Sequence, residues 1–374
     1  MKKFVLFLIL ISCATPVQQG PESLFIIFPY TVISEDNEVY LKLKLKTSNP
    51  IVVNNIPILF QKEQLLNLPV GKFSCGKSMQ VEVKDQRSGK QIFSQVIPEI
   101  PCEDSSPIYL GFLSDTHNSY SNQEKLRSVL SKSWEYGKIH FLLHGGDVVH
   151  KGGKIEEWEE FFQATSQAVS PSPLISAIGN HEYQSLNLVQ GPPPFEKYLT
   201  GKSSPWYGHL LTFPQCKILI FNSNFNRLTT TARAEQWIFL ERELQRADAE
   251  GIPLILLSHH AAFTSNIFKK RRPETQELQV TLVRLLEKYK VPLMLSGDVH
   301  LYERSEKNGI SYITAGAFAW YRMPSLGGNP YQKFSKSLTA TYTWLKVTKR
   351  QIVIKTFSSD RTLIDEHLID MTKQ

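Results

Sequence analysis

Five short stretches of this chain carry side chains able to hold a metal ion: Ser114-Asp115-Thr116-His117, Gly145-Gly146-Asp147, Gly179-Asn180-His181-Glu182, Ser258-His259-His260 and Gly297-Asp298-Val299-His300. Carboxylate, amide and imidazole groups are hard or borderline donors, and no cysteine stands among them. The set therefore suits Mn, Fe or Zn better than a thiolate-bound metal. Singly each stretch says little, because Gly-Asp marks turns and an isolated His is usually structural. Their force lies in placement, since each follows an apolar run within a few residues.

The runs are Ile108 to Leu113, Ile139 to Leu143, Leu174 to Ile178, Leu254 to Leu257 and Leu293 to Leu295, with a sixth from Lys217 to Phe221. They read as buried strands of an α/β fold. In such a fold, residues just past the carboxyl ends of successive strands meet in space though they are scattered in sequence. Gly145, Gly146, Gly179 and Gly297 permit the sharp turns that this needs. Amphipathic helices are expected between the strands, one opened by the capping box Ser121-Asn122-Gln123-Glu124 and one running from about Glu274 to Tyr289. From Thr339 the tail returns to strands. Ahead of all this, residues 23–105 alternate, as in Val39-Tyr40-Leu41-Lys42-Leu43-Lys44-Leu45-Lys46, and read as a small antiparallel β-sandwich of fibronectin-III or immunoglobulin type. The Pro-rich stretch Ile97 to Pro107 reads as a linker into a second unit over 106–374.

The five motifs in this order, each at a strand end, resemble the calcineurin-like metallophosphoesterase superfamily. Leu301-Tyr302-Glu303-Arg304 after the last motif resembles its purple-acid-phosphatase-like branch. The resemblance implies a four-layer α/β/β/α sandwich and a dinuclear centre of two divalent or trivalent ions. Asp115, His117 and His300 would hold one metal, Asn180 and His259 the other, and Asp147 would bridge them. Two such ions share a hydroxide that attacks phosphorus. His181 is left to protonate the leaving oxygen as general acid, with Glu182 to orient it. The implied activity is metal-dependent hydrolysis of a small phosphoester, a phosphomonoesterase first. The alternatives are a phosphodiesterase or nuclease of the same fold, or a surface lipoprotein that binds without catalysis.

The chain departs from the family at three places. The last motif is usually Gly-His-x-His, so Asp298 stands where a His would complete the second metal; it either ligates or points away. Purple members carry Asp-x-Gly and Gly-Asp-x-x-Tyr, where the Tyr binds iron. This chain has His117 and His150 there, so no iron-tyrosinate colour is expected, and His150 reads as a loop or supporting residue. His260 reaches the substrate or packs beside it, and His144 and His209 read as structural.

Lys2 and Lys3 precede an apolar run, Phe4 to Ile11, too short to span a bilayer, and the pattern is that of an export signal over residues 1–12. Leu10-Ile11-Ser12-Cys13 resembles the lipobox of bacterial lipoproteins. Cys13 would then be lipidated and residues 13–22 would tether the protein to a membrane of the cell envelope, facing periplasm or exterior. An ordinary secretory cut near Ala14 is the other reading. A formal charge of +7 suits anionic substrates but predicts no specific nucleic-acid binding. Its one dense cluster, Lys269-Lys270-Arg271-Arg272, reads as a solvated loop before a helix near Pro273 rather than as a substrate clamp. In an exported chain Cys75 and Cys102 could pair, leaving Cys216 as a buried thiol.

Overall fold

A computed structural model of the chain describes residues 24–34, 37–117, 126, 129–130, 139–170, 172–184, 193–201, 208–318 and 327–373. The export signal, Cys13 and the capping box at Ser121 lie outside the described residues. Among those described, nine strands form one sheet, in the spatial order Leu363–Asp370, Gln351–Ser358, Thr341–Val347, Ile108–Leu113, Phe141–His144, Leu174–Ser176, Phe25–Ile33, Glu38–Leu45 and Leu65–Lys72. Seven form a second, in the order Gly208–Thr212, Lys217–Phe221, Leu254–Ser258, Leu293–Ser296, Ile310–Thr314, Tyr302–Lys307 and Gln332–Lys336. A four-stranded sheet holds Ile56–Ile58, Ile51–Val53, Met79–Asp85 and Gln91–Ile97.

The six apolar runs are thus divided three and three between two sheets. Alternation along the strands decides what each sheet packs against. Leu110, Phe112, Phe141, Leu143 and Ile175 share one core with Ile218, Ile220, Ile255, Leu257, Leu293 and Leu295, so the sheets face each other. Leu113, Leu142 and Leu174 turn the other way, onto Trp158 and Phe162 of the helix Ile155–Val169. Leu219, Phe221, Leu256 and Met294 turn onto Leu240 and Leu244 of the helix Thr230–Glu250, and onto Leu282 and Leu286. The result is helix, sheet, sheet, helix. Each fully buried Leu or Ile contributes about 1.5–3 kcal/mol, which fixes the strand ends that carry the motifs. The helix expected from Glu274 runs as Pro273–Glu277, a π-turn Leu278–Leu282 and Val283–Lys288.

The sandwich of the first hundred residues is present as four strands facing three, with Cys75 and Cys102 joined by a disulfide. Its three-stranded side is not separate. Phe25–Ile33 runs parallel to Leu174–Ser176, with Val32 opposite Leu174, and so extends the nine-stranded sheet past its central strands. Among the described residues, no helix is long and apolar enough to cross a membrane.

Candidate metal centre

All five motifs converge at the carboxyl ends of the central strands. Four of their residues hold left-handed backbone: Asp115 at φ 53°, Asp147 at 57°, Asp298 at 64° and His300 at 60°. A non-glycine residue in that region costs of order 1–3 kcal/mol, and such strain persists where the surroundings over-determine it. Here it turns each side chain back over the strand end. Gly146, at φ 92°, is required: a Cβ there would lie 2.7 Å from the Gly179 nitrogen and 2.8 Å from His259 Nδ1.

Asp147 lies at the centre. Its Oδ1 accepts the His181 backbone N–H at 2.7 Å. Its Oδ2 lies 3.3 Å from His259 Nε2, 3.8 Å from His181 Nε2 and 3.9 Å from His117 Nε2. On one side, donor atoms of Asp115, His117, Asp147 and His300 lie within 4.8 Å of one another, all buried. His117 and His300 point their Nε2 atoms at each other at 3.4 Å, and His300 Nε2 is 3.3 Å from Asp115 Oδ1. Burial pushes His117 down to about 3, into the neutral, ligating form. Two facing imidazole nitrogens among carboxylates are a donor set that a cation would satisfy.

On the other side, His259 Nδ1–H donates to the Gly145 carbonyl at 2.8 Å, which fixes the tautomer and turns Nε2 inward, 3.3 Å from Asn180 Oδ1. Burial opposes a charge on His259, but Asp147, Asp115 and Asp298 push it up to about 10. The carboxylates therefore demand positive charge at this point. His260 is buried, with Nδ1 against Ser223 Oγ at 2.8 Å, and forms a third group with His259 and Asp298.

Two sequence readings change here. Glu182 does not orient His181; its carboxylate accepts the backbone N–H groups of Gly179 (2.7 Å), Val148 (2.8 Å) and Asp147 (2.9 Å), pinning the Asp147 and Gly179 turns together. Burial and the Asp147 carboxylate push its acid up to about 7. The His181 ring is oriented instead by Nδ1–H donating to the His150 carbonyl at 2.7 Å, so His150 supports through its backbone, and its own ring joins His117 and His181 in a cluster. Lastly, Lys269 and Arg272 are not a solvated run. Lys269 Nζ donates to Asp298 Oδ1 at 2.7 Å and Arg272 Nη1 to the same oxygen at 2.8 Å. Asp298 Oδ1 is also 3.7 Å from His259 Nε2, and its Oδ2 is buried without a hydrogen-bond partner. Burial works against its ionisation, yet Lys269 and its neighbours hold its carboxyl far below the usual range. The only sequence signal for this pair was its position, some ten residues beyond His259.

His144 proves structural, bonding Thr116 Oγ1 at 3.1 Å and accepting the Gly146 N–H at 3.1 Å. His209 is half-buried on Gly208–Thr212, the edge strand of the seven-stranded sheet. Cys216 is a buried free cysteine whose thiol burial pushes up, unsuited to attack.

A two-sheet sandwich carrying Asp, Asn and His at its strand ends defines a metallophosphoesterase architecture, and residues 108–302 match the family model for calcineurin-like phosphoesterase. The chain belongs to that family. It is 29% identical over 227 residues to phosphoenolpyruvate phosphatase of Allium cepa, covering 55% of this chain and 44% of that one. It is 25% identical over 224 residues to Fe(3+)-Zn(2+) purple acid phosphatase 12 of Arabidopsis thaliana, covering 55% and 45%. The chain thus spans a little under half the length of these relatives. Among solved structures, purple acid phosphatase PPD1 of yellow lupin superposes with a TM-score of 0.67 at 15% identity, over 91% of this chain and 74% of that one.

Proposed function

We propose that the chain is a metal-dependent phosphoric ester hydrolase, a phosphomonoesterase, with its centre at Asp147. The observation that carries the reading is that one carboxylate oxygen, Asp147 Oδ2, lies 3.3–3.9 Å from three imidazole nitrogens on three different loops. The relatives named for phosphatase activity support it. Asp115, His117 and His300 would hold one Mn, Fe or Zn ion, Asn180 and His259 the other, and Asp147 both. Asp298 offers the second ion an oxygen. Such ions supply an acidified water and positive charge against the phosphoryl oxygens.

The chain's own residues do the rest. Nδ1–H of His181 is committed to the His150 carbonyl, which leaves Nε2 to carry a proton to the leaving oxygen. Its ring stacks on His117 at 4.2 Å between centroids, so the acid is held against the first metal group rather than free to rotate. Glu182 keeps the Asp147 and Gly179 turns in register, and the glycines keep space between them. We further read Cys13 as the site of a lipid anchor that holds the enzyme at the bacterial cell envelope, after cleavage at Ser12.

Mass spectrometry of metal content, together with a panel of phosphomonoesters and diesters, tests the proposal. Two metals per chain and turnover of monoesters are expected, with Asp147→Ala losing both. Activity that survives Asp147→Ala would overturn the dinuclear reading; bound metal with no ester hydrolysed would make the chain a binding protein.

A further inference from the structure

The replacement of a family His by Asp298 is not a simple loss of a ligand, because it comes with two cations. Where a neutral imidazole would stand, this chain places one carboxylate, one ammonium and one guanidinium within hydrogen-bond distance. One cation would neutralise the carboxylate. Together the two cations carry one charge more than Asp298 can match, so the pair is not used up by that carboxylate. Among the described residues, Asp298 is the side-chain acceptor shown for both cations.

The basic turn is also built to stay where it is. Asn266 Oδ1 caps it, accepting the N–H groups of Phe268 (3.0 Å) and Lys269 (3.1 Å). The preceding residue, Ser265, is tied by its N–H and hydroxyl to Glu303 Oε2 at 2.8 and 3.1 Å, and Pro273 opens the next helix. The Lys269 side chain is 11% exposed and that of Arg272 38%. One cation is thus sunk against Asp298, and the other reaches from it toward the open side. A guanidinium has five N–H donors in a rigid fork, and Asp298 takes one of them. The others match the oxygens of a phosphoryl group.

We propose that Lys269 and Arg272 form a phosphoryl-binding arm beside the second metal position, with Asp298 as the residue that positions both. The arm takes the non-bridging oxygens of a phosphomonoester dianion, and so favours doubly charged over singly charged esters. This inference rests on the reading of the centre as a phosphoesterase, and the experiment separates the two.

Full-length protein is loaded with manganese, and inorganic phosphate, the product ion, is titrated calorimetrically and used as competitive inhibitor. Arg272→Gln and Lys269→Met should weaken phosphate affinity and raise KM for a monoester roughly ten- to a hundredfold, the scale of a hydrogen bond to a charged group. Metal content should be unchanged, the effect on a diester smaller, and Arg272→Lys should recover part of the loss. Unaltered phosphate affinity in Arg272→Gln would overturn the arm. So would a loss of metal with phosphate affinity retained, which would make the cations mere supports for Asp298. If the wild-type chain hydrolyses no ester, the phosphoesterase reading fails, and the calorimetric titration still decides whether the arm exists.

Discussion

At the scale of single residues, His181 has its ring held from two sides. Its Nδ1–H is spent on a backbone carbonyl, its ring is stacked on His117, and its Nε2 is 3.8 Å from Asp147 Oδ2. The acid role proposed for His181 matters most when the leaving group is a poor one. His181→Ala should therefore slow alkyl phosphates by roughly 10²–10⁴-fold and p-nitrophenyl phosphate far less; equal losses in kcat on both substrates would remove the acid role. The meeting of these side chains was legible in the sequence, because each candidate ligand follows an apolar run and strand ends converge, whereas the hold of the His150 carbonyl on His181 was not. The roles of Asp298, Lys269 and Arg272 were not. Their partnership joins two segments 26–29 residues apart, and a run of four basic residues carries no sign of which side chains turn inward.

At the scale of elements, the centre is a set of turns locked to one another rather than a set of strands. Glu182, on the turn after Leu174–Ser176, accepts backbone N–H groups from the turn after Phe141–His144. Gly146 fits between the Gly179 backbone and the His259 ring. Gly146→Ala would meet both a backbone atom and an unfavourable φ, so it should cost roughly 1–3 kcal/mol. Thermal unfolding and metal content should fall together; unchanged values for both would show that the turn is more pliant than its geometry implies. The glycines signalled turns in the sequence, whereas the Glu182 bridge did not, because a Glu after a His reads naturally as that residue's partner.

For the whole molecule, the alternating Leu and Lys residues of Glu38–Leu45 read as a strand of the small sandwich, and such alternation ordinarily leaves one face to solvent. The strand formed, but both faces are covered. Leu41 and Leu43 enter the sandwich core, while Lys42 and Lys44 lie under helices, Lys42 Nζ on the Lys197 carbonyl at 2.6 Å and Lys44 Nζ on Glu159 at 2.5 Å. A sequence pattern cannot reveal a second layer contributed by residues more than a hundred positions away. Burial, with some help from Lys197, brings the Lys42 ammonium down to about 7 from 10.5. A base with a lowered folded pKa binds fewer protons folded than unfolded between those values, so its penalty is full below pH 7 and fades toward pH 10.5. Lys42→Met should accordingly raise the unfolding temperature at pH 6 and raise it less, or lower it, at pH 10. A gain that grows with pH would contradict the assignment. The same continuity of layers separates the recognised segment from the folding unit. The family match ends at residue 302, but the strand Ile108–Leu113 is hydrogen-bonded to Thr341–Val347 on one side, and Leu174–Ser176 to Phe25–Ile33 on another. A fragment cut to the matched residues would carry raw strand edges at both flanks of its first sheet, the kind of surface that pairs with other chains before it can bind a metal.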